Sequence, residues 1–241
     1  MRIRSVLPAI VLLTACPAPE PDEPAPLEVD GIVRPVADDV RWVAAIDNPY
    51  FPLPTGATWH YEAMSDEGLE TDDVEVLAQT RVVNGVTATV VHDLVRLDGE
   101  IVEETWDWYA QDDEGSVWYL GEDTCEWEDG MCVVHAGAWE WGVDGALPGI
   151  IMPGDPQADG QPFFQEYYPG EAEDVGEVIG VGEAIEVPAG SFTDCVRTRD
   201  TSHLDPGLDE QKVYCPGVGN VLVLEPGVSV ELLSHSGLLG S

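Results

Sequence analysis

Four turn dipeptides on a regular beat constrain this chain more than any other feature. Asn84-Gly85, Asp98-Gly99, Glu114-Gly115 and Asp129-Gly130 fall 14, 16 and 15 residues apart. Asn-Gly and Asp-Gly supply the positive φ that two-residue hairpin turns demand. Between and around them lie runs rich in β-branched and aromatic residues: 58–64, 74–83, 86–97, 101–110, 116–121 and 132–141. Such runs joined by such turns are hairpins. The 25 Gly and 19 Pro punctuate most windows, and no stretch keeps a helical period. Residues 142–173 break the beat, with Leu147-Pro-Gly-Ile-Ile-Met-Pro-Gly as an irregular passage and 163–169 as a short strand or a crossing loop. Strands then resume at 174–187, 191–201, 210–215, 218–224 and 228–234. The pattern predicts an all-β fold: a single antiparallel meander forming a curved sheet or open half-barrel.

The acid balance narrows the functions. Among 241 residues, 47 acids face 9 bases, for a net charge of -38. A nucleic-acid ligand is excluded, because phosphate backbones require a basic face. Electrostatic docking on anionic lipid is excluded for the same reason. Apolar residues make up 44%, enough to build a core rather than a disordered acidic tail. Strong self-repulsion predicts a soluble monomer.

The first residues carry a targeting signal. Arg2 and Arg4 precede an apolar run, Val6 to Leu13, that is far too short to span a bilayer as a helix. The run ends in Leu13-Thr14-Ala15-Cys16, which resembles the lipobox of bacterial lipoproteins. That resemblance implies a signal peptide over 1–15, acylation of Cys16, and membrane anchoring of the mature chain in the cell envelope. Residue 17 is proline, not the aspartate that retains enterobacterial lipoproteins in the inner membrane, so the resemblance implies onward passage to the outer membrane or cell surface. Residues 16–40 then read as a lipid anchor and a Pro/acid-rich tether of extended geometry, and 41–236 as one all-β domain.

Setting Cys16 aside leaves four cysteines, as suits an exported protein. Cys125 and Cys132 flank a turn signal, and Cys195 and Cys215 are symmetric about Asp205. Opposed positions of an antiparallel pair lie within disulfide reach. The spacing therefore predicts Cys125–Cys132 and Cys195–Cys215.

The domain shows a second likeness. Asn48-Pro-Tyr-Phe-Pro-Leu-Pro-Thr-Gly-Ala-Thr-Trp59, Thr105-Trp-Asp-Trp-Tyr-Ala-Gln-Asp112, Gly115-Ser-Val-Trp-Tyr-Leu-Gly-Glu122, Gln165-Glu-Tyr-Tyr-Pro-Gly-Glu-Ala-Glu-Asp174 and Lys212-Val-Tyr-Cys-Pro-Gly-Val-Gly219 resemble a family of uncharacterised bacterial secreted proteins. Val187-Pro-Ala-Gly-Ser-Phe192 with 212–219 is similar to a pattern in LolA-like half-barrels. That likeness implies a concave sheet able to hold an acyl chain or another apolar ligand.

Three chemistries fit the composition. Trp106 with Trp108, and Trp139 with Trp141, share faces on alternating strands and suggest an aromatic platform for a lipid or glycan ligand. The same rings also suit a packed core. Acids crowd the same hairpins, so a carboxylate- or cation-dependent hydrolase built around Glu104 or Asp107 is the alternative. A calcium-dependent adhesin or surface scaffold is the third, with Asp93, Glu104, Asp107, Glu166 and Asp174 as candidate ligands. No EF-hand is present: counting back from Gly99, Gly115 or Gly130 puts Leu94, Ala110 or Cys125 at the first ligand position. H-E-x-x-H, G-x-S-x-G and phosphate-loop motifs are absent too. The residues point to binding rather than catalysis, with no cofactor beyond Ca2+ as the cation such acids suit.

Overall fold

The structure is a computed structural model that describes residues 28–238 apart from Asp30 and Ala136. The lipobox, Cys16 and the first part of the tether lie outside the described residues. In chain order the strands are β1 (Glu28–Val29), β2 (Ile32–Val33), β3 (Thr58–Met64), β4 (Leu69–Val83), β5 (Val86–Leu97), β6 (Glu100–Gln111), β7 (Val117–Glu128), β8 (Met131–Val134) and β9 (Trp139–Glu140). They continue as β10 (Leu147–Met152), β11 (Pro162–Phe164), β12 (Glu166–Tyr167), β13 (Asp174–Val187), β14 (Gly190–Ser202), β15 (Glu210–Cys215), β16 (Gly219–Glu225) and β17 (Val228–Ser236). Among the described residues there is no helix.

The hairpins form because their turns are built for them. Asn84 and Gly85 take φ of 44° and 86°, Asp98 and Gly99 50° and 88°, and Asp129 and Gly130 52° and 74°. These left-handed pairs match the twist of the flanking strands. Every pairing in the sheet is antiparallel. The main path runs β11-β13-β14-β15-β16-β17-β3-β4-β5-β6-β7-β10-β12, with β8 and β9 also on β7.

That path nearly closes on itself, so the curved sheet is a barrel with one seam. The seam lies in residues 162–167. Phe164 pairs with Val175 of β13, whereas Glu166 pairs with Pro148 of β10. Gln165, between them, donates its N–H to Asp174 O at 2.9 Å. Two glycines permit the hand-over. A Cβ on Gly149 would collide with the Gln165 carbonyl, and one on Gly176 would meet Gln165 Nε2 at 2.9 Å. Closure removes the open edges that would otherwise invite aggregation.

Both disulfides form as the spacing predicts. Cys195–Cys215 has a Cα separation of 4.2 Å and Cys125–Cys132 one of 5.7 Å. The first joins neighbouring strands beside the Val196–Tyr214 pair. Two readings of the sequence need correction. Residues 132–141 are not one strand: Gly137, at φ 83°, separates β8 from β9. Nor are 142–173 irregular throughout, since they hold β10 and the seam strands.

The stretch read as tether does not stand clear of the domain along its whole length. Ile32 of β2 is buried with Phe164, Tyr167 and Val175. Ala37, Val40 and Trp42 lie over the outer face of β5–β7 and cover Trp108 and Trp118. The molecule thus has two apolar layers. One fills the barrel around Trp59, Tyr61, Tyr109, Tyr119, Trp139 and Tyr214. The other lies outside the β5–β7 wall, under the N-terminal strap.

Candidate functional site

The barrel encloses a cavity of about 430 Å³. Its two ends differ because the strands change character along their length. Ile46 to Pro54 plug one end. Asn48 fastens this loop: its Nδ2 donates to Gly115 O at 2.8 Å and to Pro153 O at 3.2 Å, and its N–H donates to Gln111 Oε1 at 2.9 Å. Gly217 N–H donates to Pro49 O at 2.7 Å. Phe51 then packs 5.2 Å from Tyr109 and 6.1 Å from Tyr214. Trp59 Nε1 donates to Val218 O at 2.8 Å, and the Tyr61 hydroxyl donates to Asn220 O at 2.9 Å. The plugged end is therefore aromatic.

Toward the other end the same strands turn acidic. On β6 the inward positions pass from Tyr109 through Asp107 to Glu103; on β5 from Val91 through Asp93 to Val95; on β4 from Val76 and Val74 to Asp72 and Glu70; on β15 from Tyr214 through Lys212 to Glu210. Seven carboxyl groups line the cavity: Glu70, Asp72, Asp93, Glu103, Asp107, Glu210 and Glu225. Lys212 is the one basic residue among them, and the only lysine of the chain. It is ion-paired with Glu210 at 2.8 Å and with Asp200 at 3.1 Å.

Burial makes these carboxyls poor anions. It pushes Asp72 up to about 6, with Asp73, Glu70 and Glu103 adding repulsion against the hydrogen bond that Asp93 supplies. Burial and the Asp72 charge push Asp93 well above the usual range. Asp72 and Asp93 are buried beside each other, and a proton held between the two carboxyls makes the hydrogen bond that joins them. Deeper in the wall, Tyr119 Oη lies 2.6 Å from Asp107 Oδ1 and 2.5 Å from Glu122 Oε2. A phenol has one proton to donate, so one of these two acids must bring its own. Burial accordingly raises Asp107 well above normal and Glu122 to about 7. Glu166 accepts from Trp139 Nε1 at 2.6 Å and is likewise raised by burial.

Glu122 and Tyr119 are three residues apart and still share a face. The reason is Gly121, at φ 137°, where the β6–β7 register shifts. A Cβ there would collide with Trp139 O. The bulge cannot be read from period-2 alternation, which puts Tyr119 and Glu122 on opposite faces.

The sequence-derived candidates separate into two sets. Asp93, Asp107, Glu166 and Asp174 all belong to the interior acid network. Glu104 is on the outer face, where it meets His92 Nε2 at 2.9 Å. Glu104 and Asp107 therefore stand on opposite sides of one strand and cannot act on one bond. The four tryptophans do not form one platform either. Trp139 is buried inside the barrel, 5.4 Å from Tyr119. Trp108 is buried in the outer layer, with Arg81 Cζ 3.9 Å above its ring. Trp141 packs 6.2 Å from Trp42. Trp106 is half-buried and stacks on His92 at 5.0 Å. Sequence reasoning missed Asp72, Lys212 and the aromatic floor, Phe51, Tyr61 and Tyr214. The signal available was parity: Asp72 alternates in step with Val74 and Val76, as Asp93 does with Val91 and Val95.

Among the described residues, the one group of three potential metal ligands with converging atoms is Cys125, Cys132 and His135, and both of its cysteines are in a disulfide. Comparison with protein-family models, curated proteins and solved structures finds no match to this chain.

Proposed function

We propose that this is a lipid-anchored protein of the bacterial cell envelope that binds a small amphipathic ligand inside its barrel. The lipobox resemblance, the Pro/acid-rich tether and two disulfides, which persist in oxidising compartments, support the location. The cavity carries the function. A space of about 430 Å³ with apolar walls and a few grouped polar side chains is of the size and character that small-molecule sites have. Five aromatic rings, Phe51, Trp59, Tyr61, Tyr109 and Tyr214, face it. The ligand's place is thus inside the barrel, where it loses most of its water, rather than on a tryptophan platform.

A hydrolase is the less favoured reading. Two interior carboxyls, Asp107 and Glu122, are bridged by the Tyr119 hydroxyl, which occupies the space a sugar oxygen would need.

Native mass spectrometry of the full chain, released gently from its own membrane, tests the proposal. A small-molecule mass should accompany the protein. Val95→Trp, which fills the cavity near Glu103 without touching the plug, should remove it. A protein of bare mass in both forms, with no ligand recovered from membrane extracts, would overturn the reading.

A further inference from the structure

The distribution of charge and apolar surface within the cavity goes further than its size. We infer that the ligand is a cationic amphiphile: an alkyl or aryl amine whose apolar end lies on the aromatic floor and whose charged nitrogen sits among Asp72, Asp93 and Glu103. The inference rests on the cavity being the binding site and names the chemical class it takes.

Three observations carry it. The first is polarity with direction. Phe51, Tyr109, Trp59 and Tyr214 collect at the plugged end, whereas Glu70, Glu103, Glu210 and Glu225 collect toward the other. A ligand that matches both must be apolar at one end and polar at the other, and it must enter tail first.

The second is sign. Lys212 is already paired with Asp200 and Glu210, so it offers no free charge to an anionic head. None of the other six cavity carboxyls, Glu70, Asp72, Asp93, Glu103, Asp107 and Glu225, is ion-paired with Lys212, the one basic residue that lines the cavity. A carboxylate or phosphate head would find no free cation there and would repel every carboxyl that is ionised.

The third is a pair of carboxyls buried against each other. Asp72 and Asp93, diagonal neighbours across β4 and β5 in the cavity wall, are joined by a side-chain hydrogen bond that requires a proton between them. Two such carboxyls cannot both ionise without a positive charge beside them, and a bound cation supplies that charge. An ammonium brings up to three donors and a positive charge to that spot. Tyr61, opposite Asp72 in the β3–β4 register, adds an aromatic ring of the kind that attracts cations.

An inorganic divalent ion fits less well. Calcium requires six to eight oxygens gathered at 2.3–2.6 Å. No three carboxyl oxygens of different residues converge in that way among the described residues. The aromatic floor would also be left without use.

Calorimetry on the full chain with three probes of similar size separates these outcomes. Phenethylamine carries the cation, phenethyl alcohol is its neutral counterpart, and phenylacetate is the anion. The amine should bind at least about tenfold more tightly than the alcohol, and phenylacetate should give no heat. Asp72→Asn/Asp93→Asn, which removes buried acid rather than apolar packing, should abolish the preference while leaving alcohol binding in place, and at pH 8 it should raise the melting temperature rather than lower it. Equal binding of amine and alcohol would overturn the cation assignment and leave the cavity as the site. Calcium that displaces the amine and binds more tightly would also overturn it. Failure of all three probes, with Val95→Trp indistinguishable from the parent chain, would overturn the cavity reading itself.

Discussion

Lowering the pH from 8 to 5 should raise the melting temperature of this protein by roughly 10 °C or more, against the usual direction for acidification. The groups responsible face one another inside the barrel: Asp72 and Asp93 between β4 and β5, Asp107 and Glu122 between β6 and β7, Glu166 on β12, and Glu103 toward the open end. Burial raises each of them above its ordinary value. A carboxyl whose folded value exceeds its unfolded value holds protons more tightly in the native state. Its penalty is therefore present at high pH and is relieved as pH falls through the folded value toward the unfolded one. Asp72 moves from 3.8 to about 6 and Glu122 from 4.5 to about 7, so the relief is concentrated between pH 7 and 4. Each tenfold gain in proton affinity is worth about 1.4 kcal/mol, so by pH 5 Asp72 regains about 1.4 kcal/mol and Glu122 about 3 kcal/mol. Relief of surface repulsion acts in the same direction but is screened by salt. Melts in 0.5 M salt, roughly a 4 Å screening length, should keep most of the rise, and Glu122→Gln should remove its share of it. A melting temperature that falls steadily from pH 8 to 5 would show that these acids are ionised and hydrated in the folded chain.

Lys212→Met is the second large effect. Lys212 is half-buried on β15, and its Nζ is shared between Asp200 and Glu210, with Asp174 and Tyr214 also in its field. Burial alone would disfavour its charge, but the two carboxylates outweigh that and hold its value well above normal. Removing one partner of a buried pair leaves the other charges uncompensated, which costs about 3–5 kcal/mol. Chemical denaturation at pH 8 should show that loss. At pH 5 the loss should shrink, because the stranded carboxyls can take protons instead. Adding Asp200→Asn and Glu210→Gln to Lys212→Met should restore most of the stability, since an apolar and neutral trio strands no charge. A loss below about 1 kcal/mol at pH 8 would mean that the trio is solvated like a surface pair.

Much of this fold is legible in the residues, and the limits have physical causes. The turns are local chemistry: Asn84-Gly85 and Asp98-Gly99 need positive φ and take it. Strand limits follow from the turns, so β3, β5, β13 and β15 match their predicted spans residue for residue. Both disulfides follow from register. Closure is different, because it depends on Gln165 meeting Gly149 and Gly176, three residues far apart in sequence. The inward face is hard to read because both faces of β5–β7 are apolar: Trp108 points out to the strap as Asp107 points in. The interior acids look like surface until the barrel closes around them. Glu122 joins them through the Gly121 bulge, which period-2 reasoning cannot anticipate.

The most direct test is carbon-13 NMR titration of the aspartate and glutamate side chains in the full chain, repeated with phenethylamine. Asp72 should titrate near 6 and Glu122 near 7 in the free protein, and Asp72 and Asp93 should both move down when the amine is bound. Side chains that all titrate in the ordinary carboxylate range, unchanged by the amine, would contradict a buried acid-lined cavity that receives a cation.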